Sequence, residues 1–183
     1  MRKLTVSDIL PDYQEKVSKQ SYSIKDTIDG VKIIDRPIFS TQDGMFEEIV
    51  RLSEDGSFPE LPDFKPLQVN RSVLLPGSIK AWHLHYNQED IWYVPPQDYL
   101  LLGLWDLRVE SPTAGKSLKI AMGAGRSRLV YIPRGVAHGG ANFSSEPSVV
   151  FYFVNQHFNP EMPDEERLEW NLLGDDFWVP EKG

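Results

Sequence analysis

From residue 67 to 154 the chain alternates short apolar runs with turn signals, and this rhythm constrains the fold more than any other feature. Residues 67–75, 78–86, 91–94, 99–107, 118–122, 128–132 and 148–154 each have the length of a strand. Between them stand Pro76-Gly77, Pro95-Pro96-Gln97-Asp98, Ser111-Pro112-Thr113-Ala114-Gly115, a turn at Gly123 and Gly125, and Pro133-Arg134-Gly135. Many short strands joined by tight turns predict an all-β sandwich or barrel rather than an alternating α/β fold. Two further strands are expected upstream, over 31–37 and 45–52. Residues 1–30 read as a polar N-terminal arm, with a weak helical pattern over 6–17 broken by Pro11. Residues 54–66 are acidic and proline-rich, as in a loop or lid, and 164–170 are expected to form a short helix in the tail. The expected organisation is an arm, 1–30, and one barrel domain, 31–183.

A chain of 183 residues with 40% hydrophobic side chains can bury one substantial core. The net charge of -8, without any basic run, argues against nucleic acid and against an anionic membrane surface as partners. The absence of cysteine excludes disulfides, thiolate metal sites and a cysteine nucleophile. No apolar stretch has the length of a membrane span or the form of a leader, so a cytoplasmic protein is expected.

Three of the four histidines, His83, His85 and His138, lie in one segment. On a strand, residues two apart face the same side, so His83 and His85 are expected to point together. Glu89 follows, four residues after His85. Three imidazoles and one carboxylate suit Zn, Fe, Mn, Ni or Co. The spacing from Gly77 through His83, His85 and Glu89 resembles the first motif of the cupin superfamily. Pro133, Gly135, His138 and Asn142 resemble its second. The resemblance implies a double-stranded β-helix, the jelly-roll cupin barrel. Here it would carry extra N-terminal strands and a short C-terminal helical segment, with one divalent metal on His83, His85, Glu89 and His138.

A second resemblance covers about residues 31–180. Leu84-His85-Tyr86, Trp105-Asp106-Leu107-Arg108, Ser111 to Lys116, Tyr131 to Gly139, Phe158-Asn159-Pro160 and Trp170-Asn171 are similar to segments of the dTDP-4-dehydrorhamnose 3,5-epimerase family of cupins. That family works without a metal, by removing a proton beside a 4-keto group and returning one from the opposite face. The resemblance puts His85 at the base position, Tyr152 at the acid position and His138 at the pocket histidine. An imidazole is a competent base near neutrality and a phenol a plausible proton donor. Glu48 is retained from the family pattern, and Phe158 stands where a tyrosine lies near the nucleotide. Trp82 and Tyr86 are aromatic candidates for the pocket wall, and Arg128 is a candidate pocket cation.

The chain departs from the family pattern at several positions. Ile91 falls in register with the family lysine near the enolate. Leu172 stands where an aspartate orients the base, unless Asp175 or Asp176 reaches back. Asp43 and Trp82 replace arginines that help bind diphosphate. The function expected is an epimerase-like cupin acting on a keto-sugar or related carbonyl compound. The alternatives are a metal-dependent isomerase or oxygenase and a non-catalytic sugar-binding cupin. The cofactor is either none or one divalent transition metal, since a metal and a general base compete for the same His85 lone pair. The expected partners are a small sugar-type ligand and a second copy of the chain in a homodimer.

Overall fold

The computed structural model describes residues 2–19 and 27–180. Among the described residues of 1–30 there is a 3-10 turn at Val6–Asp8 and a short helix, α1 (Pro11–Gln14). Pro11 occupies the first turn of α1, where a missing N–H has no intrahelical partner to lose. Ile28 is already buried in the barrel core, so packing begins ahead of residue 31.

Among the described residues, twelve strands follow. They are β1 (Lys32–Arg36), β2 (Ile38–Thr41), β3 (Gly44–Glu47), β4 (Gln68–Leu74), β5 (Ile79–Leu84) and β6 (Asp90–Tyr93). The second half contributes β7 (Tyr99–Asp106), β8 (Ser117–Gly123), β9 (Ser127–Ile132), β10 (Val136–Ala141), β11 (Ser148–Val154) and β12 (Glu166–Arg167). One sheet runs β1-β9-β6-β11-β4, the other β12-β5-β10-β7-β8, and β2-β3 forms a separate hairpin. The pairings are antiparallel. This is the jelly-roll arrangement expected from the sequence.

Period-two alternation divides each strand between an inner and an outer face. Leu100, Leu102 and Leu104 of β7 meet Val130, Ile132, Val136 and Val150 between the sheets. Each fully buried aliphatic side chain of this kind contributes about 1.5–3 kcal/mol. On the back of the first sheet, Phe58, Leu61 and Phe64 cover Ile91, Tyr93 and Leu129. The 54–66 segment is therefore a cover for a sheet's outer face. On the back of the second sheet, Phe177 and Trp178 pack on Trp82, Leu101 and Ala137. Gly103 makes room for this tail, because a Cβ there would lie 2.5 Å from the Trp178 ring.

The tail departs from expectation at 164–170. A strand forms in place of the helix: β12 adds to the edge of β5, pairing Glu166 with Leu84 and Arg167 with His83. The open edge of β5 offers unpaired backbone groups, and the tail satisfies them.

One irregularity shapes the site. His138 pairs with His83 and Gly140 with Lys80, so Gly139 faces both Ala81 and Trp82 across a bulge. A bulge re-aims the side chains of its strand. Lys80, His83 and His85 thereby reach the same cavity, while Trp82 and Leu84 turn to the tail. Gly139 fits against the bulge only without a side chain, since a Cβ would stand 2.4 Å from the Ala81 Cβ and 2.7 Å from the Lys80 oxygen.

Candidate active site

The two sheets part at one end around a cavity of about 440 Å³. A second chamber of about 460 Å³ adjoins it, sharing His85, Gln88, Tyr152 and Glu165. β5 and the turn after it supply His83, His85 and Gln88. β6 supplies Asp90 and Trp92, β10 supplies His138, and β11 supplies Tyr152. Three of the expected residues, His85, His138 and Tyr152, thus line one space, and His83 lies beside them. The His138 ring stacks 5.9 Å from that of His83 and lies 5.2 Å from that of His85, with the Trp92 edge 5.4 Å away.

The hydrogen-bond partners show which nitrogen of each imidazole donates. His85 Nδ1 meets the main-chain carbonyl of Asp164. A carbonyl only accepts, so Nδ1 carries a hydrogen, and the lone pair of the neutral ring lies on Nε2. That lone pair has only a long, 3.4 Å contact with the Gln88 carboxamide. His138 Nδ1 likewise donates to a carbonyl, the Val136 oxygen at 3.2 Å, but its Nε2 faces an acceptor, the Asp90 Oδ2, at 3.5 Å. His83 differs. Its Nδ1 donates to Glu165 at 3.0 Å and its Nε2 accepts from Arg167 at 2.9 Å. Burial, then the charges of His138 and Arg167, push the His83 pKa down to about 4, so this imidazole is neutral and fully engaged.

Asp164 is the residue that sequence reasoning missed. Its carboxylate accepts the main-chain N–H groups of Tyr86, Asn87 and Gln88 at 2.9, 2.8 and 2.7 Å. Burial works to raise its pKa, but these three donors outweigh it and hold the carboxyl below its usual range. Its carbonyl orients His85. Asp175, considered from sequence for that task, instead accepts from Asn171 at 3.0 Å. Asp90 was also missed. It is 3% exposed, and accepts from Gln88 at 2.8 Å and from the Trp92 indole at 3.2 Å. Burial again works to raise its pKa, and the hydrogen bond and charge of His138 prevail in lowering it.

Several expected site residues lie elsewhere. Glu89 points away from the histidines and pairs with Asn155 at 3.1 Å, beside Tyr131. Strand alternation makes Asp90 the inward carboxylate, so the four-ligand set His83, His85, Glu89 and His138 does not assemble. Trp82 is fully buried under the tail, 4.8 Å from Trp178, because it alternates with the inward His83 and so faces outward. Tyr86 is 60% exposed beyond the strand end. Glu48 pairs with Arg51 at 2.6 Å near the surface. Arg128 is engaged by Asp35 of β1 at 3.0 Å. Phe158 lines the second chamber rather than the first. The cations of the first chamber are Lys80 and Arg167, with Asp90 and Glu165 facing them.

The Tyr152 phenol shares both chambers with His85. Burial, then the charges of Asp90 and Glu165, raises its pKa, so it holds its proton at neutral pH. An imidazole whose neutral tautomer has its lone pair on Nε2 and a protonated phenol lining one cavity can together remove a proton from carbon and return another.

Comparison with known proteins follows the same line. The family model for dTDP-4-dehydrorhamnose 3,5-epimerase matches residues 25–174. The spore coat polysaccharide biosynthesis protein SpsL of Bacillus subtilis is 38% identical over 144 residues, 79% of this chain and 91% of that protein. The probable low-salt glycan biosynthesis epimerase Agl13 of Haloferax volcanii is 27% identical over 144 residues, 79% of this chain and 89% of that one. Among solved structures, the dTDP-4-dehydrorhamnose 3,5-epimerase of Sulfolobus tokodaii superposes with a TM-score of 0.65 at 26% identity, covering 82% of this chain and 81% of that chain.

Proposed function

Because the chain belongs to the dTDP-4-dehydrorhamnose 3,5-epimerase family, we propose that it inverts a carbon centre beside the carbonyl of a keto-sugar. The observation that carries this reading is the tautomer of His85: Asp164 holds the Nδ1 hydrogen, so the Nε2 lone pair is presented to the cavity. In this reading His85 removes the proton next to the carbonyl, and Tyr152 delivers one to the other face of the resulting enolate. The enolate oxygen needs a donor or a cation. Ile91, in the family lysine's register, is buried on the outer face, and the inward neighbours are Asp90 and Trp92. Lys80 is the best-supported replacement. Its ammonium has three donors and bonds Ser72 at 3.2 Å and the Val73 oxygen at 3.4 Å, so one donor remains for a ligand.

The ligand is a sugar or nucleotide-sugar. The second chamber, with Gln68, Asn70, Gln156, Asn159 and Phe158, offers amide donors and acceptors beside an aromatic face, which suits the part of such a ligand beyond the reacting ring. A homodimer belongs to the same reading. Phe39, Met45 and Phe46 stand 55%, 56% and 64% exposed on the β2–β3 hairpin, which pairs with no other strand among the described residues. Sedimentation is expected to give twice the 21.0 kDa chain mass.

The test is a panel of nucleotide-linked and free 4-keto sugars incubated with the protein, with products identified by NMR. The expected result is an epimer of at least one nucleotide-linked member. Saturable binding without any epimer across the panel would instead make this a sugar-binding cupin.

A further inference from the structure

Three potential metal-ligand atoms converge in the first chamber. They are His85 Nε2, His138 Nε2 and a carboxylate oxygen of Asp90, and these atoms all lie within 4.8 Å of one another. The three side chains are 7%, 2% and 3% exposed. Neither imidazole can relieve the convergence by changing tautomer, because each Nδ1 hydrogen is committed to a main-chain carbonyl, of Asp164 and of Val136. An imidazole whose outer nitrogen donates to a backbone carbonyl is the arrangement that orients histidines toward a metal.

We propose that His85, His138 and Asp90 bind a single divalent transition-metal ion. Two imidazoles and one carboxylate favour zinc, cobalt, iron, manganese or nickel over calcium and magnesium. Ligands about 2.1 Å from a tetrahedral ion lie about 3.4 Å apart. The His138–Asp90 edge, at 3.5 Å, already has that length. His85, within 4.8 Å of both partners, closes the site by moving inward and giving up its long contact with Gln88. His83 stays out of the set, since both of its nitrogens are taken by Glu165 and Arg167. The metal would occupy the same lone pair that proton abstraction uses. Metal-loaded and base-competent forms of the chain are then mutually exclusive, and the ion acts as a reversible block on the base.

The inference does not rest on the proposed reaction, because binding is measured without substrate. Tag-free protein stripped with chelator is titrated with zinc by calorimetry and with cobalt by visible absorption. The expected result is one equivalent of either metal per chain and a cobalt ligand-field band. Asp90→Asn and His138→Gln are expected to weaken binding by at least about 100-fold, and Glu89→Gln to leave it unchanged. Should the cavity variants fail to fold, the cobalt-loaded parent is examined by proton NMR, where two paramagnetically shifted, exchangeable imidazole N–H signals are expected. Sub-stoichiometric binding, parental affinity in folded Asp90→Asn, or loaded protein lacking those two signals overturns the assignment.

Discussion

His85 donates its Nδ1 hydrogen to the main-chain carbonyl of Asp164, a residue 79 positions further along the chain. The same Asp164 gathers three consecutive N–H groups, from Tyr86 to Gln88, on its carboxylate. One residue of the tail therefore sets both the orientation of the base and the shape of the turn that follows it.

Asp164→Ala is expected to lower stability by about 1–3 kcal/mol, the range for hydrogen bonds to a buried or charged partner. Turnover should fall more than KM rises, since the turn and β12 position His85 rather than contact the ligand. Denaturant unfolding together with steady-state kinetics checks both halves. Asp164→Asn, which keeps one acceptor oxygen, should fall between parent and Asp164→Ala.

Acid is expected to destabilise the fold through Asp106. This buried carboxylate accepts from Arg108 at 2.8 Å and also bonds Ser111 and Thr113 at 2.5 and 2.6 Å. Burial works to raise its pKa, and these donors depress it well below the usual range. The unfolded carboxyl titrates near about 3.9, so between the two values the unfolded chain binds more protons. Stability then rises with pH in that window and is lost as pH falls below about 4. The denaturation midpoint measured against pH should drop there, and Asp106→Asn should lower the plateau and flatten the acid limb.

The barrel was legible because turn chemistry and strand length speak through local sequence. His85 and His138 were legible because two motifs carry them and Tyr152 because the family resemblance marks its position, and all three line one cavity. Glu89 was misplaced by one residue: β6 begins at Asp90, and the phase of a strand is set where it starts pairing, which spacing from His85 does not reveal. Trp82 was misplaced although alternation with His83 and His85 already puts it on the outer face, where the tail covers it; the bulge opposite Gly139 is what brings Lys80 round to the cavity. Asp164, Glu165 and Arg167 carried no local mark at all. Their roles come from the tail adding a strand to β5, a contact between segments about 80 residues apart.

Gly139→Ala should cost about 1–3 kcal/mol, since the new Cβ meets backbone as well as the Ala81 side chain and the bulge must shift. The shift would move His83 relative to His138, so activity should drop beyond the loss of folded protein. Thermal unfolding and activity normalised to the folded fraction separate the two effects.

Tyr152→Phe should separate the two proton transfers. With His85 intact, exchange of the carbon-bound proton into deuterated solvent should persist, while formation of the inverted product falls by about 100- to 10,000-fold. NMR of the recovered sugar reports both. Parental rates of inversion in Tyr152→Phe would remove this phenol from the reaction.

The base assignment is tested most directly by solvent deuterium entering the sugar, followed by NMR in chelator-treated parent and in His85→Asn. Asparagine keeps a side-chain donor for the Asp164 carbonyl but has no basic lone pair. The predicted result is deuterium at the carbon beside the carbonyl in the parent and its loss, by at least about 100-fold, in folded His85→Asn. Exchange at the parental rate in His85→Asn would contradict the assignment of His85 as the base.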